Sequence, residues 1–248
     1  MTQLHTHADG TAAPAHASEA LDMFQYEWGI YQKLVRANGM HHRELGQILR
    51  RLIETRFDRP FTFLDLACGD ASLARCVLKG SKVTRYDGID LSRPALECAA
   101  DVMAGVSYAV TLSEEDIHDA VLQRPQSCDI IWCGFSIHHL RRDRKREMLA
   151  SLHEALKPGG IFVCAEPICR TGETRADFTK RWESELRRRF SILTDTEYAH
   201  LWNHIRTCDY PEPPEDWIAM GEQAGFSRVQ ELFRFPGDLF CSAFLFER

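Results

Sequence analysis

Phe61-Thr62-Phe63-Leu64-Asp65-Leu66-Ala67-Cys68-Gly69-Asp70 is the stretch that decides the fold. The apolar run Phe61 to Leu66 has the length and composition of a buried strand, and Cys68-Gly69 marks a tight turn at its end. A helix-compatible segment, Asp70 to Leu78, follows at once. In a strand–turn–helix unit of this kind, backbone amides at the helix N-terminus meet a ligand. The next predicted strand, Lys82 to Ile89, runs into Asp90, 21 residues after Gly69. A carboxylate at the tip of the neighbouring parallel strand is placed to accept hydrogen bonds from both hydroxyls of a ribose. The two strand ends together describe a nucleoside pocket.

The turn itself narrows the choice of nucleoside. A dinucleotide fingerprint requires Gly-x-Gly-x-x-Gly, so that the backbone can press against a pyrophosphate. Here the turn reads Ala67-Cys68-Gly69-Asp70-Ala71-Ser72, and Asp65 and Asp70 would repel a diphosphate. A nicotinamide oxidoreductase is therefore disfavoured. Both acids suit a ligand that carries a cationic sulfonium and an ammonium. The segment resembles motif I of the class I, Rossmann-like S-adenosylmethionine-dependent methyltransferases of small-molecule type, and Asp90 matches that family's ribose-binding acid. The family's commoner turn is Gly-x-Gly-x-Gly. This chain departs from it at Ala67 and Ala71 but keeps Gly69, where backbone and cofactor approach most closely. The resemblance implies S-adenosyl-L-methionine as cofactor, with contacts from Asp65, Ala67, Gly69, Asp70, Asp90, Leu91 and Phe135. It covers residues 61–167 well and 213–248 moderately.

From residue 61 the pattern alternates strand and helix. Strands are predicted at 61–67, 82–89, 106–111, 128–135 and 160–166, and helices at 70–79, 93–104, 114–122 and 143–156. Two further strands, 227–234 and 240–246, flank Pro236-Gly237-Asp238 and read as a closing antiparallel pair. The expected fold class is α/β: a seven-stranded, mostly parallel sheet with helices on both faces. Residues 1–17 read as a flexible tail, 18–57 as an N-terminal helical lid, and 58–248 as the methyltransferase domain. Within that domain, residues 168–210 form a helical cap insert after the fifth strand, too long for an ordinary connection.

Several side chains carry candidate chemistry. After the third strand the resemblance implies an adenine contact from Asp116, with Ile117 flanking the ring and Glu115 as a rival. The residues themselves also fit a capped helix start, with Ser113 as cap. The fourth strand ends in Ser136-Ile137-His138-His139, where polar side chains project into the ligand crevice. His138 or His139 is a candidate catalytic base, an imidazole being able to accept a proton near neutral pH; positioning of the loop is the competing role. Tyr31 and Arg36, in the first helix, are implied contacts for the methionine carboxylate. His204, in the cap, is a candidate substrate contact. No metal site is expected, because neither a His-Glu-x-x-His nor a Cys-x-x-Cys pattern supports His41, His42, His200 and His204.

Composition sets the remaining expectations. With 44% hydrophobic and 27% charged residues, the chain reads as an ordinary globular protein, and no apolar run reaches the length of a membrane span. The net charge of −6 makes a nucleic-acid partner unlikely. Nine scattered cysteines and the lack of an apolar leader suggest a reducing, cytoplasmic setting. A small-molecule methyl acceptor is the expected partner, carrying an oxygen, nitrogen or sulfur nucleophile, and a homodimer is left open. The alternatives are an enzyme similar to carboxy-S-adenosylmethionine synthase, which modifies the cofactor itself, and a non-catalytic cofactor-binding regulatory protein.

Overall fold

The computed structural model describes residues 3–6, 28–235 and 241–248. The strands are β1 (Gln3–Thr6), β2 (Phe61–Leu66), β3 (Val83–Asp90), β4 (Ala109–Glu114), β5 (Cys128–Gly134), β6 (Leu156–Pro167), β7 (Arg228–Arg234) and β8 (Cys241–Glu247). They form one sheet in the order β1-β4-β3-β2-β5-β6-β8-β7, parallel from β1 to β6 and antiparallel at β8 and β7. Strand order runs outward in one direction from β2 and in the other from β5. The crevice at their carboxyl ends is the switch point where open sheets of this class bind ligands.

The seven expected strands are all present. Gln3–Thr6, expected within the tail, adds an eighth by pairing Gln3 with Thr111 through Thr6 with Glu114. An edge strand offers unpaired N–H and C=O groups to any extended segment, so this pairing needs no apolar pattern of its own. β4 also lies three residues later than predicted, because Leu112 to Glu114 remain extended alongside β3.

Burial alternates along the strands with period two. Phe61 and Phe63, Ile130 and Trp132, and Ile161 and Val163 enter one core; Leu64 and Leu66, Ile131 and Cys133, and Phe162 and Cys164 enter the other. Helices α1 (Trp28–Arg36), α2 (His42–Arg56), α3 (Ser72–Leu78) and α4 (Arg93–Val102) cover the first face. Helices α5 (Ile117–Leu122), α6 (Arg142–Ala155) and α9 (Pro214–Gln223) cover the second. The rest of the expected lid, including Tyr26, lies outside the described residues, as does the turn around Pro236-Gly237-Asp238.

The cap consists of α7 (Arg175–Arg189) and α8 (Asp195–Cys208), and each helix opens on a reciprocal capping box. Thr174 accepts from the Asp177 amide, and Thr194 from the Glu197 amide, while each acid accepts in return from its threonine's amide. Phe178, Trp182, Leu186, Leu201 and Ile205 join the core that holds Ile30 and Leu34. The cap and α1 therefore close over the same face of the sheet. A solvent-screened ion pair, Lys33 to Glu197 at 2.5 Å, links α1 to α8.

The turn after β2 keeps the backbone shape of a glycine-rich loop with fewer glycines. Ala67, Gly69 and Ala71 all have positive φ, at 54°, 54° and 57°. The Cys68 amide bonds to Ile89 O, and the Ala71 amide to Cys68 O, so the loop is tied both to β3 and to itself. Left-handed backbone is unfavourable for alanine, by about 1–2 kcal/mol per residue, and glycine returns part of that as unfolded-chain entropy. Ala67→Gly is accordingly expected to raise the unfolding free energy by about 0.5–1 kcal/mol in urea titrations. A loss of stability would show that the loop needs the Ala67 methyl group.

Candidate active site

The carboxyl ends of β2 and β3 bring three acids together. Asp90 closes the turn: the Gly69 amide donates to its Oδ2 at 2.8 Å, and the Ser92 amide to its Oδ1 at 2.8 Å. Each oxygen keeps a second lone pair. Asp65 is buried and accepts from the Tyr86 hydroxyl at 2.8 Å. Asp70 accepts from the Ser72 amide at 3.0 Å. Among the described residues no cationic side chain pairs with any of the three. Burial therefore governs Asp65: desolvation, with Asp90 and Asp70 adding to it, pushes its pKa up to about 7 against the Tyr86 hydrogen bond. Asp90 is raised for the same first reason.

Tyr31 reaches this end from α1. Its hydroxyl lies 3.2 Å from His42 Nε2, and burial together with Asp70, Asp90 and Asp65 raises its pKa. Leu91, just past Asp90, is 38% exposed at the crevice rim. Arg36 is exposed in the last turn of α1 and does not line the cavity described below, so the structure brings Tyr31 to the site and leaves Arg36 outside it. Asp116 is the N-cap of α5, its carboxylate accepting from the His118 and Asp119 amides, which replaces Ser113 in that role because Ser113 is still within β4. Ile117 begins the helix half-buried, and the neighbouring Glu115 amide donates to Asp90 O at 3.2 Å. Asp116 and Ile117 thus stand beside the Asp90 end of the crevice.

The end of β5 builds the opposite side. Phe135 has φ 56° and donates its amide to Ala165 O at 2.8 Å, which swings the chain into the short 3₁₀ turn Ile137–His139. Glu166, fully buried in β6, holds that turn. It accepts from the amides of Ser136, Ile137 and His138 at 3.4, 3.0 and 3.2 Å, and from His138 Nδ1 at 2.7 Å. Three backbone donors favour the carboxylate form of Glu166 against burial, which on balance raises its pKa to about 8, and on the amide donors the shared proton is assigned to His138 Nδ1. Burial raises the Glu166 pKa and lowers those of His138 and His139, so both imidazoles are neutral. His204, from cap helix α8, approaches His139 with 2.9 Å between their Nε2 atoms.

These groups form the polar end of a cavity between the sheet edge and the cap. Ile30, Leu34, Met40, Phe135, Trp182 and Leu201 supply much of its apolar wall, and Tyr31, His138, His139, His204 and Asp209 supply its polar groups. Glu166 and Asp209 were missed in the sequence. Glu166 follows the same strand-end logic as Asp90, so its position at the tip of the fifth parallel strand was a usable signal. Asp209, in the connection after α8, had none. His41 and His42 do not join the cluster: His41 stacks on Phe235, and His42 faces Tyr31 and Phe135.

The buried acid has a measurable consequence. Because Asp65 holds its proton in the folded state up to about pH 7, the stability contributed by the protonated form is complete below about pH 4 and lost as pH rises toward that value. Asp65→Asn is expected to flatten this slope, making the variant the more stable of the two at pH 8 but not at pH 4, by urea unfolding. Parallel stability–pH curves for wild type and variant would contradict the assignment.

A family model described as a methyltransferase domain matches residues 64–162, the stretch from β2 to β6 that builds both ends of this site. An uncharacterized methyltransferase of Geobacillus kaustophilus is 28% identical over 178 residues, covering 71% of this chain and 79% of its own. A carboxy-S-adenosyl-L-methionine synthase of Wolinella succinogenes is 25% identical over 175 residues, covering 68% and 70% respectively. Among solved structures, a SAM-dependent methyltransferase of Thermotoga maritima aligns with a TM-score of 0.58 at 14% identity, covering 92% of this chain and 98% of that one. No helix is long and apolar enough to cross a membrane among the described residues. The chain thus carries a methyltransferase-domain match from β2 to β6 and has the fold of the class I S-adenosylmethionine-dependent methyltransferases.

Proposed function

We propose that the chain transfers a methyl group from S-adenosyl-L-methionine to an oxygen, nitrogen or sulfur nucleophile on a small molecule held beneath the cap. The observation that carries the cofactor assignment is the convergence of Asp65, Asp70 and Asp90 without a cationic side chain among the described residues. A ligand bearing a sulfonium and an ammonium supplies the missing positive charge, and a diphosphate would add to the repulsion. Asp90 offers its remaining lone pairs to the ribose, Gly69 the closest backbone approach, Leu91 and Ile117 apolar contact, Asp116 an acceptor for the adenine amine, and Tyr31 a hydroxyl from the lid.

The acceptor occupies the apolar cavity, with its nucleophile toward His138, His139 and His204. Methyl transfer is an in-line displacement, so alignment of the nucleophile with the methyl carbon supplies much of the rate. His138 is locked by Glu166, and His139 presents a neutral ring that can steer or accept the nucleophile's proton. Nine free cysteines fit the reducing, cytoplasmic setting expected from the sequence.

Carboxy-S-adenosylmethionine synthesis is the second reading, favoured by the Wolinella relative. An arginine to hold the added carboxylate is absent from the cavity wall among the described residues, which argues for the first reading. Product mass separates them: loss of a methyl group from the cofactor against gain of a carboxyl.

Asp90→Ala is expected to weaken S-adenosylhomocysteine binding by about 1.5–3 kcal/mol, the scale of hydrogen bonds to a charged group, as read by calorimetry. An unchanged dissociation constant in a folded variant would remove Asp90 from the pocket. Release of S-adenosylhomocysteine across a panel of hydroxy, amine and thiol acceptors identifies the nucleophile class.

A further inference from the structure

The polar end of the cavity contains an arrangement that hydrogen bonding leaves unexplained. Asp209 is 3% exposed, and its Oδ1 has no hydrogen-bond partner. Around that oxygen lie His138 Nε2 at 3.6 Å, His139 Nε2 at 3.6 Å and His204 Nε2 at 3.8 Å. These separations are too long for hydrogen bonds, yet a carboxylate oxygen buried without one is costly. The edge of a tetrahedron around an ion with 2.0–2.1 Å bonds is about 3.3 Å. Asp209 Oδ1 stands 3.6 Å from the Nε2 atoms of both His138 and His139, close to that length, and the three donor atoms all lie within 4.8 Å of one another.

The surroundings have the features of a prepared ion site. Glu166 accepts from His138 Nδ1 at 2.7 Å, which leaves the Nε2 lone pair of His138 directed at Asp209. A carboxylate behind a ligating histidine is the usual outer support of such a ligand. The Tyr210 amide donates to His138 O at 2.8 Å, and Arg175 Nε donates to Asp209 O at 2.8 Å, so the backbones of both donors are fixed. Lys145, fully buried, bonds to Tyr210 O and pairs with Glu212 at 3.0 Å, pinning the segment that follows Asp209.

We propose that His138, His139 and Asp209 bind a divalent transition-metal ion of the zinc type, with the fourth position of its tetrahedron left to a ligand from the cavity. Imidazole nitrogens with one carboxylate suit zinc and its first-row neighbours, whereas magnesium and calcium favour all-oxygen sets. The sequence predicted no metal site because these donors share no spacing motif, the whole cap separating Asp209 from His138 and His139. Binding of the ion is independent of the methyl donor; its role rests on the methyltransferase reading. There, an acceptor hydroxyl or thiol takes the open fourth position and gives its proton to water, His139 steering the acceptor while its ligating nitrogen takes no proton. The resulting anion forms a bond to the methyl carbon, and the methyl–sulfur bond breaks with its electron pair left on sulfur. Hydroxyl and thiol acceptors are thereby favoured over amines.

The test uses the full chain, without an affinity tag, stripped with a chelator and titrated with zinc chloride and with cobalt chloride. Expected are one zinc ion per chain by calorimetry and the intense visible absorption of tetrahedral cobalt. Asp209→Asn and His139→Ala are each expected to lose more than ~100-fold in affinity, beyond the ~10–100-fold expected for the outer support Glu166→Gln. Circular dichroism and S-adenosylhomocysteine binding report whether each variant is folded. No uptake by wild type, or equal uptake by wild type and a folded Asp209→Asn variant, overturns the proposal. Should the variants fail to fold, a weak octahedral cobalt spectrum in wild type overturns it equally. Asp90→Ala is expected to take up the ion normally, and metal-free wild type to bind S-adenosylhomocysteine, so failure of the metal site and failure of the cofactor assignment are distinguishable.

Discussion

The hydrogen bond from the Gly69 amide to Asp90 Oδ2, at 2.8 Å, is the constraint on which the ligand end of this fold depends. It ties the tip of β3 to the turn after β2 and so fixes the separation between the Gly69 backbone and the Asp90 carboxylate. The same bond holds the turn in a left-handed course through Ala67, Gly69 and Ala71, two of which carry a β-carbon. Glycine would relax that loop; the tie to Asp90 and the Cys68–Ile89 bond keep it in shape without the glycines. On the far side of the switch point Glu166 has the equivalent task. It gathers three amides and one imidazole into a rigid 3₁₀ turn that carries His138 and His139.

Electrostatically the two ends differ in a way that suits transfer between them. Asp65, Asp70 and Asp90 form an acidic patch in which burial, with Asp90 and Asp70 adding to it, disfavours the ionisation of Asp65. The histidine end is lined by imidazoles that burial keeps neutral, backed by Glu166 and Asp209. Between them lies an apolar wall supplied by α1, Phe135 and the cap. Because α1 contributes Tyr31 to the acidic end and Ile30 and Leu34 to the cavity, a single helix reaches both ends of the site.

Much of this was legible in the sequence because it is encoded locally. The run Phe61 to Leu66, the turn at Gly69 and the acid at Asp90 follow from strand length and spacing, and the alternation after them fixes a parallel sheet covered on both faces. Asp116 was correctly placed near a helix start, though the polar run Ser113 to Glu115 concealed where β4 ended. The cap was expected only as a helical insert; the capping boxes Thr174-x-x-Asp177 and Thr194-x-x-Glu197, which mark where its helices begin, were present in the sequence but not used. What stayed hidden is long-range. Asp209 acquires its meaning only when α8 folds back over His138 and His139. Arg36 was paired with Tyr31 as an implied carboxylate contact by the family resemblance, yet the helix ends with it in solvent.

The central claim is that an acid-lined strand edge holds a cationic adenosyl ligand. Its most direct test is a calorimetric titration of the purified chain with S-adenosylmethionine, run beside NADH. The account predicts saturable binding of the methyl donor at one molecule per chain and no heat from the dinucleotide. Binding of NADH with none of S-adenosylmethionine would contradict it.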